Sequence, residues 1–358
     1  MNRELEELVE NAKQWNALPL LFHILGKDNV PIPQSLQSLS RTQYIQNYLA
    51  AVLFLRELRE VLSSLADRGV EVIVLKGAAL TMNVYPSLGV RPMRDIDLLI
   101  HREDLARVVE ILRALGYQRY PPPARNGIEK FQGEVTWVKT GQFPMVIEPH
   151  WTLGPEYPYS GRIEAQDLWH KARRINLDGI DTLILCPEDS LLHTCLHLFH
   201  HGQGFWLVPA CDITGLIRHY ESNFDWKVFL NRVIEFNLCL PVQYSLKKTY
   251  KVLHPPIPSF IFEGLSLYKP SRFESKLYAL LSRSSNPIGP GNLIKLLTVP
   301  GIVQKLRYLC SVLLPSKEWL MTYYSNSAPK SLGLYALHVK NIFLTGPKVL
   351  FRFLFVGK

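Results

Sequence analysis

Two aspartates, Asp95 and Asp97, stand one residue apart at the head of an aliphatic run, in the stretch GVRPMRDIDLLI (89–100). Strands seldom open on so much charge, because ionised side chains resist burial and weaken the packing a strand needs. On an extended strand side chains alternate with period two, so Asp95 and Asp97 share one face while Ile96 points into the core. Two carboxylates held that close repel each other unless something cationic lies between them. Mg²⁺ answers this need, since it prefers hard oxygen ligands and is bound by one or two carboxylates plus substrate phosphates. Whatever this chain folds into, it must bring the end of a buried strand to a polar site.

A third acid strengthens the pattern. Glu148 stands in the apolar run PMVIEPHW (144–151), where a carboxylate is again unexpected, and a neighbouring strand would set it beside the aspartates. Its expected roles are metal ligand and acceptor of a proton from an incoming hydroxyl. His150 shares a strand face with Glu148 and is a candidate to touch substrate or to orient the carboxylate. Upstream, LKGAAL (75–80) joins a strand to a helix. A glycine there lets the backbone approach a phosphate, and a helix N-terminus adds N–H groups and a favourable dipole. Lys76, Arg91 and Arg94 are the cations available to neutralise phosphate, unless the arginines merely pair with the aspartates.

The rest of the chain divides by texture. Residues 1–68 read as helical, with Leu49, Val52, Leu53, Leu55, Leu58, Val61, Leu62 and Leu65 at helical spacing and Gly69 as the stop. PIPQS (31–35) reads as a turn. From 69 to 155 the pattern is strand (70–75), helix (76–85), strand (95–100), helix (102–117) and a hairpin (135–140 with 144–151). After the Pro/Gly-rich GPEYPYSGR, residues 156–257 read as a second helical region, and 258–358 as helical fragments carrying basic charge.

Taken together, LKGAALTMNVYPSLGVRPMRDIDLLI and the later VIEPHW resemble the polymerase-β-like nucleotidyltransferase superfamily. More narrowly, they resemble a bacterial family of uncharacterised nucleotidyltransferases. Its pattern is Lys-Gly, then Tyr, Arg and Asp-Ile-Asp-Leu-Leu, then acid-x-His-Trp and a His-containing helical domain. The motifs cover roughly 69–153, with looser similarity to about 255. The resemblance implies an α/β (α+β) core with a small mixed sheet, flanked by N-terminal and C-terminal helical regions. It implies Gly77, followed by Ala78, at the nucleoside triphosphate and Asp95, Asp97 and Glu148 on two Mg²⁺ ions. Two departures stand out: Gly77-Ala78 replaces the usual Gly-Ser or Gly-Gly, and Glu148 stands where the narrower family commonly has Asp. The implied reaction moves a nucleoside monophosphate from an NTP to an unidentified hydroxyl or phosphate acceptor. An inactive nucleotide-binding or scaffolding protein is the alternative.

Other chemistries fit less well. The five cysteines are scattered without a CxxC, which suits neither a disulfide framework nor a cysteine zinc site. His193, His197, His200 and His201 lie on one helix, but no Glu stands between His193 and His197 as a zinc hydrolase would require. If that helix face lines the cleft, His197 or His200 is the member expected near substrate; otherwise the cluster is ordinary helix packing. Of the net charge of +9, nine Lys and Arg against Glu318 alone lie beyond Ile288, leaving the motif-bearing part almost neutral. That distribution argues against a nucleic-acid acceptor and points the basic C-terminus toward an acidic membrane surface or protein. With neither a signal-peptide pattern nor 18 consecutive apolar residues, the expected location is cytoplasmic.

Overall fold

A computed structural model describes residues 3–26, 33–122, 133–153, 162–163, 165–177, 179–201, 206–282, 288–299, 301–324 and 331–355. Three helices lead: α1 (Arg3–Gln14), α2 (Leu18–Gly26) and α3 (Gln34–Ala66). The expected α/β unit follows as β1 (Val72–Val74), α4 (Lys76–Asn83), β2 (Ile96–Ile100), a 3₁₀ turn (Arg102–Asp104) and α5 (Leu105–Ala114). It closes with β3 (Gln118–Arg119), β4 (Trp137–Lys139) and β5 (Met145–His150). Then come α6 (Ala165–Lys171), β6 (Arg173–Leu177), β7 (Ile180–Ile184), α7 (Pro187–His201) and α8 (Leu207–His219). Further helices are α9 (Trp226–Glu235), α10 (Cys239–Leu253), α11 (Ser259–Ser266) and α12 (Arg272–Ser282). The C-terminal set is α13 (Ile288–Thr298), α14 (Ile302–Leu313), α15 (Lys317–Tyr323) and α16 (Ser331–Phe355). Residues 31–32 of the expected turn and 154–161 of the linker lie outside the described residues, and residues 34–35 already belong to α3.

The described strands form one mixed sheet in the order β3-β4-β5-β2-β1-β7-β6. β2 runs antiparallel to β1 and parallel to β5, and β7 runs parallel to β1. The two faces of the sheet bury different cores. Val72, Val74, Ile96, Leu98, Ile100 and Ile147 pack with Leu58, Val61 and Leu65 of α3 and with Val108 and Leu112 of α5. Ile73 and Leu99 point the other way, into a second core built by α1, α2, α7, α8 and α10. β2 is therefore buried on both faces, and Asp97, on the Leu99 side, is only 1% exposed. Each fully buried aliphatic side chain in such a layer contributes about 1.5–3 kcal/mol.

One expectation needs correcting. The region after residue 155 was expected to be helical, yet β6 and β7 form a hairpin that joins the sheet through β1. RINLDGIDTLI alternates apolar and polar residues around an Asp-Gly pair, which is a hairpin signature. Gly179 adopts φ +84°, and its N–H donates to the Asn176 side chain. The preceding Pro/Gly-rich linker masked this signal. Asp95 likewise falls one residue before β2, at the strand's mouth and not within it.

The second core joins the N-terminal helices to residues as far as Leu265. Tyr278 of α12 stacks on Phe199 of α7 at 5.5 Å, while α13–α16 pack chiefly on one another and on α12. No helix among the described residues is long and apolar enough to cross a membrane. Because Ile184 (3% exposed) places β7 in the same core as β1 and β2, Ile184→Ala should cost the fold about 2–5 kcal/mol in urea unfolding. A loss below about 1 kcal/mol would show the hairpin to be peripheral to the sheet.

Candidate active site

Parallel pairing of β2 with β5 sets Asp97 directly beside Glu148 and Leu99 beside His150. The two acids singled out in the sequence are thus neighbours on one face of the sheet. A buried carboxylate must be compensated, and Asp97 is compensated twice. Lys76 Nζ donates to Asp97 Oδ1 at 3.0 Å, and His150 Nε2 lies 2.8 Å from the same oxygen. Burial drives the Asp97 carboxyl upward, but Lys76 and His150 outweigh it and hold the group well below the usual carboxylate range. For His150, burial opposes the charge, but Glu134 and Asp97 raise its pKa to about 9, so the ring is an imidazolium at neutral pH. Its Nδ1 reaches Glu134 Oε2 at 2.9 Å, a carboxylate that is half exposed and therefore partly screened.

The remaining acids are crowded. Burial, then the neighbouring Asp97 charge, pushes Asp95 up to about 6. The same two causes, with Glu134 added, push Glu148 up to about 7. Thr136 Oγ1 donates to Glu148 Oε1 at 2.7 Å and fixes that carboxyl's orientation. Like charges this close favour a bound cation over full ionisation without one. Among the described residues, Asp97, Glu148 and His150 offer ligand atoms that all lie within 4.8 Å of one another. Because the His150 ring is protonated and bonded to Asp97 and Glu134, the donors left for a divalent cation are the Asp97 and Glu148 carboxylate oxygens, which suit a hard ion. Asp95 stands apart from this trio, which departs from the expected trio of Asp95, Asp97 and Glu148.

Asp95 and Asp97 line a cavity of about 240 Å³ together with Trp15, Lys76, Gly77, Arg91, Pro92, Arg94 and His197. Lys76 opens α4 with φ +34°, a left-handed conformation that costs a side-chain-bearing residue about 1–3 kcal/mol. That backbone is compatible with the Lys76 ammonium reaching Asp97. A β-carbon on Gly77 would lie 3.2 Å from an Arg91 nitrogen, a tight contact that Arg91 could relieve only by shifting by a few tenths of an ångström. Ala78 contributes only backbone here, because its methyl is buried in the α3–α5 core.

The two arginines take different partners from those expected. Arg91 is buried and pairs in a bidentate manner with Asp212 of α8, Nε to Oδ1 at 2.9 Å and Nη2 to Oδ2 at 2.8 Å. Tyr85 OH donates to Asp212 Oδ1 at 2.8 Å, and a further Arg91 nitrogen donates to the Pro92 carbonyl. Arg91 is therefore committed to the helical region and not to Asp95 or Asp97. Arg94 is exposed and holds its guanidinium 4.6 Å from the centre of the Trp15 ring. Of the histidines on α7, His197 lines the cavity and His200 is exposed. His193 is buried, and desolvation, followed by the nearby Lys76 and His150 charges, keeps it neutral. The side chain of His201 lies outside the described residues. His150 is buried beneath Asp97 (3% exposed), which fits a buttress and not a group touching substrate. Trp151 is core. Trp15, Thr136, Glu134 and Asp212 were not singled out in the sequence. Thr136 lies within the expected strand 135–140 and Glu134 one residue before it, but Trp15 and Asp212 give no local signal.

A family model described as an uncharacterised nucleotidyltransferase matches residues 2–254. A search of curated proteins finds no match. Among solved structures, an antigenic nucleotidyltransferase-like protein from Paracoccidioides brasiliensis is similar over 59% of this chain and 97% of that chain. The identity is 15% and the TM-score 0.35.

The buried Arg91–Asp212 pair generates a direct test. Asp212→Ala leaves a guanidinium unpaired in the core and should destabilise the protein by about 3–5 kcal/mol in urea titration. The double variant with Arg91→Met should recover much of that loss, and a single-variant cost below about 1 kcal/mol would contradict the pairing.

Proposed function

The chain belongs to the family of uncharacterised nucleotidyltransferases, and from that premise we propose that it moves a nucleoside monophosphate from an NTP to an acceptor, releasing pyrophosphate. The acceptor is a hydroxyl or phosphate on a small molecule, sugar or peptide. The observation that carries this reading is the lateral register of Asp97 with Glu148 beside a cavity that also holds Lys76, Gly77 and Asp95. That set supplies carboxylates for divalent cations and a glycine-led helix start for phosphate in one place.

Asp97 and Glu148 would hold Mg²⁺, with Asp95 at the cavity wall as a further oxygen donor. Bound there, the ion would supply charge neutralisation for the triphosphate and Lewis acidity toward the acceptor oxygen. Gly77 permits close backbone approach at the start of α4, where N–H groups face phosphate. Lys76 exchanges its Asp97 contact for a phosphate oxygen when the ligand enters, keeping a cation at the acids in both states. Glu148 accepts the acceptor's proton as the new oxygen–phosphorus bond forms. The bond to pyrophosphate breaks with its electron pair on the departing oxygen. His150, held by Glu134, keeps Asp97 ionised and in place.

His197 of α7 lines the same cavity and serves as a contact for the acceptor. The near-neutral charge around the motifs favours a small acceptor over a polynucleotide.

The test is pyrophosphate release from each of the four NTPs with Mg²⁺ and an acceptor panel, products being weighed by mass spectrometry. Asp97→Asn and Glu148→Gln should each lower release by at least about 100-fold while an exposed change, Glu103→Gln, leaves it intact. Release that survives both substitutions would refute the assignment.

A further inference from the structure

The cavity beside Asp95 and Asp97 has a second character that the transfer chemistry leaves unused. Trp15 and Arg94 both line it, with the guanidinium carbon over the indole, 4.6 Å from its centre. Trp15 comes from the corner between α1 and α2, far in sequence from the acids. That corner is held with unusual care. Gln43 of α3, buried, accepts the Leu18 N–H at 3.1 Å and donates to the Lys13 carbonyl at 3.3 Å. Asn47, one helical turn on and also buried, donates to the Asn16 carbonyl at 2.9 Å and to the Gly89 carbonyl at 3.4 Å. Asn16 takes φ +54° to make the bend.

Asn47 therefore fastens the Trp15 corner to the loop that carries Arg91 and Arg94. Gly89 makes the junction sterically feasible, because a β-carbon there would lie 2.7 Å from the Tyr44 ring and carbonyl. Two buried amides, a left-handed residue and a glycine that tolerates no side chain fix an indole at the wall of a cavity that also holds Lys76 and Gly77. A ligand matching both characters is a polyanion joined to a flat heteroaromatic ring. Indole and guanidinium planes stack on nucleobases without reading their edges.

We propose that Trp15, with Arg94, forms the nucleobase platform of the donor nucleotide, a site that rests on the nucleotidyltransferase reading above. The N-terminal helices then serve recognition as well as packing. Because stacking is tolerant of base identity, the platform binds all four bases with modest differences.

Calorimetric titration of the full chain with Mg²⁺ separates the two characters. The probes are a non-hydrolysable α,β-methylene ATP and inorganic tripolyphosphate, which lacks a base. Wild type should bind the nucleotide about tenfold more tightly than tripolyphosphate. Trp15→Leu should erase that difference while leaving tripolyphosphate affinity unchanged. Trp15→Phe should hold nucleotide affinity within about threefold and lose the tryptophan quenching that the nucleotide causes. The platform is overturned if Trp15→Leu binds the nucleotide like wild type, or loses both ligands in equal proportion. Should Trp15→Leu fail to fold, quenching that persists in Trp15→Phe overturns it. If wild type binds tripolyphosphate and nucleotide equally, the platform alone fails. If it binds neither, the nucleotidyltransferase reading fails with it.

Discussion

The ionisation of one buried carboxylate organises this structure. Asp97 sits on a strand covered on both faces, where an unpaired charge would be intolerable. Its compensation propagates outward. Lys76 adopts a left-handed backbone and holds the acid from one side. His150 holds it from the other, and Glu134 keeps the imidazole charged. Glu148, buried and crowded by the Asp97 and Glu134 charges, is pushed up to about 7. The arrangement is a store of positive charge around an acid, ready to be exchanged for a metal and phosphates.

A second buried pair does for assembly what the first does for chemistry. Arg91 and Asp212 lie 121 residues apart and join the loop before β2 to α8, with Tyr85 closing the network. Such pairs contribute little net stability compared with apolar packing, but they tolerate few alternative arrangements. The helical region is thereby fixed against the mouth of the sheet, and His197 is brought to the cavity. The Gln43 and Asn47 amides do the same for the N-terminal helices. Three stretches of chain meet at one cavity, each held by a polar contact that only one geometry satisfies.

What the sequence disclosed follows from this. Asp97, Glu148 and Gly77 were legible because each violates its local context: acids in aliphatic strands and a glycine where a strand turns into a helix. The β2 and β5 boundaries were legible from their apolar periodicity, to within one residue. Arg91 was visible as a cation, but its partner was not, because Asp212 lies in an apolar helix with no periodic or motif signal. Trp15 reads as an ordinary amphipathic-helix residue until tertiary folding places it at the cavity. The β6–β7 hairpin had its own alternation and Asp-Gly turn, overshadowed by the neighbouring linker and helices. Local chemistry could be read, and with it the approach of Glu148 to Asp97; the pairing of Arg91 with Asp212 could not, since that is decided by packing.

The central claim is that the Asp97 cluster exchanges internal cations for metal and triphosphate. Diffraction from crystals grown with Mn²⁺ and a non-hydrolysable NTP tests it most directly. The account predicts an anomalous peak against the Asp97 and Glu148 carboxylates, with Lys76 Nζ moved from Asp97 to a phosphate oxygen. Nucleotide or Mn²⁺ bound elsewhere, with Lys76 and His150 still closed on Asp97, would contradict it.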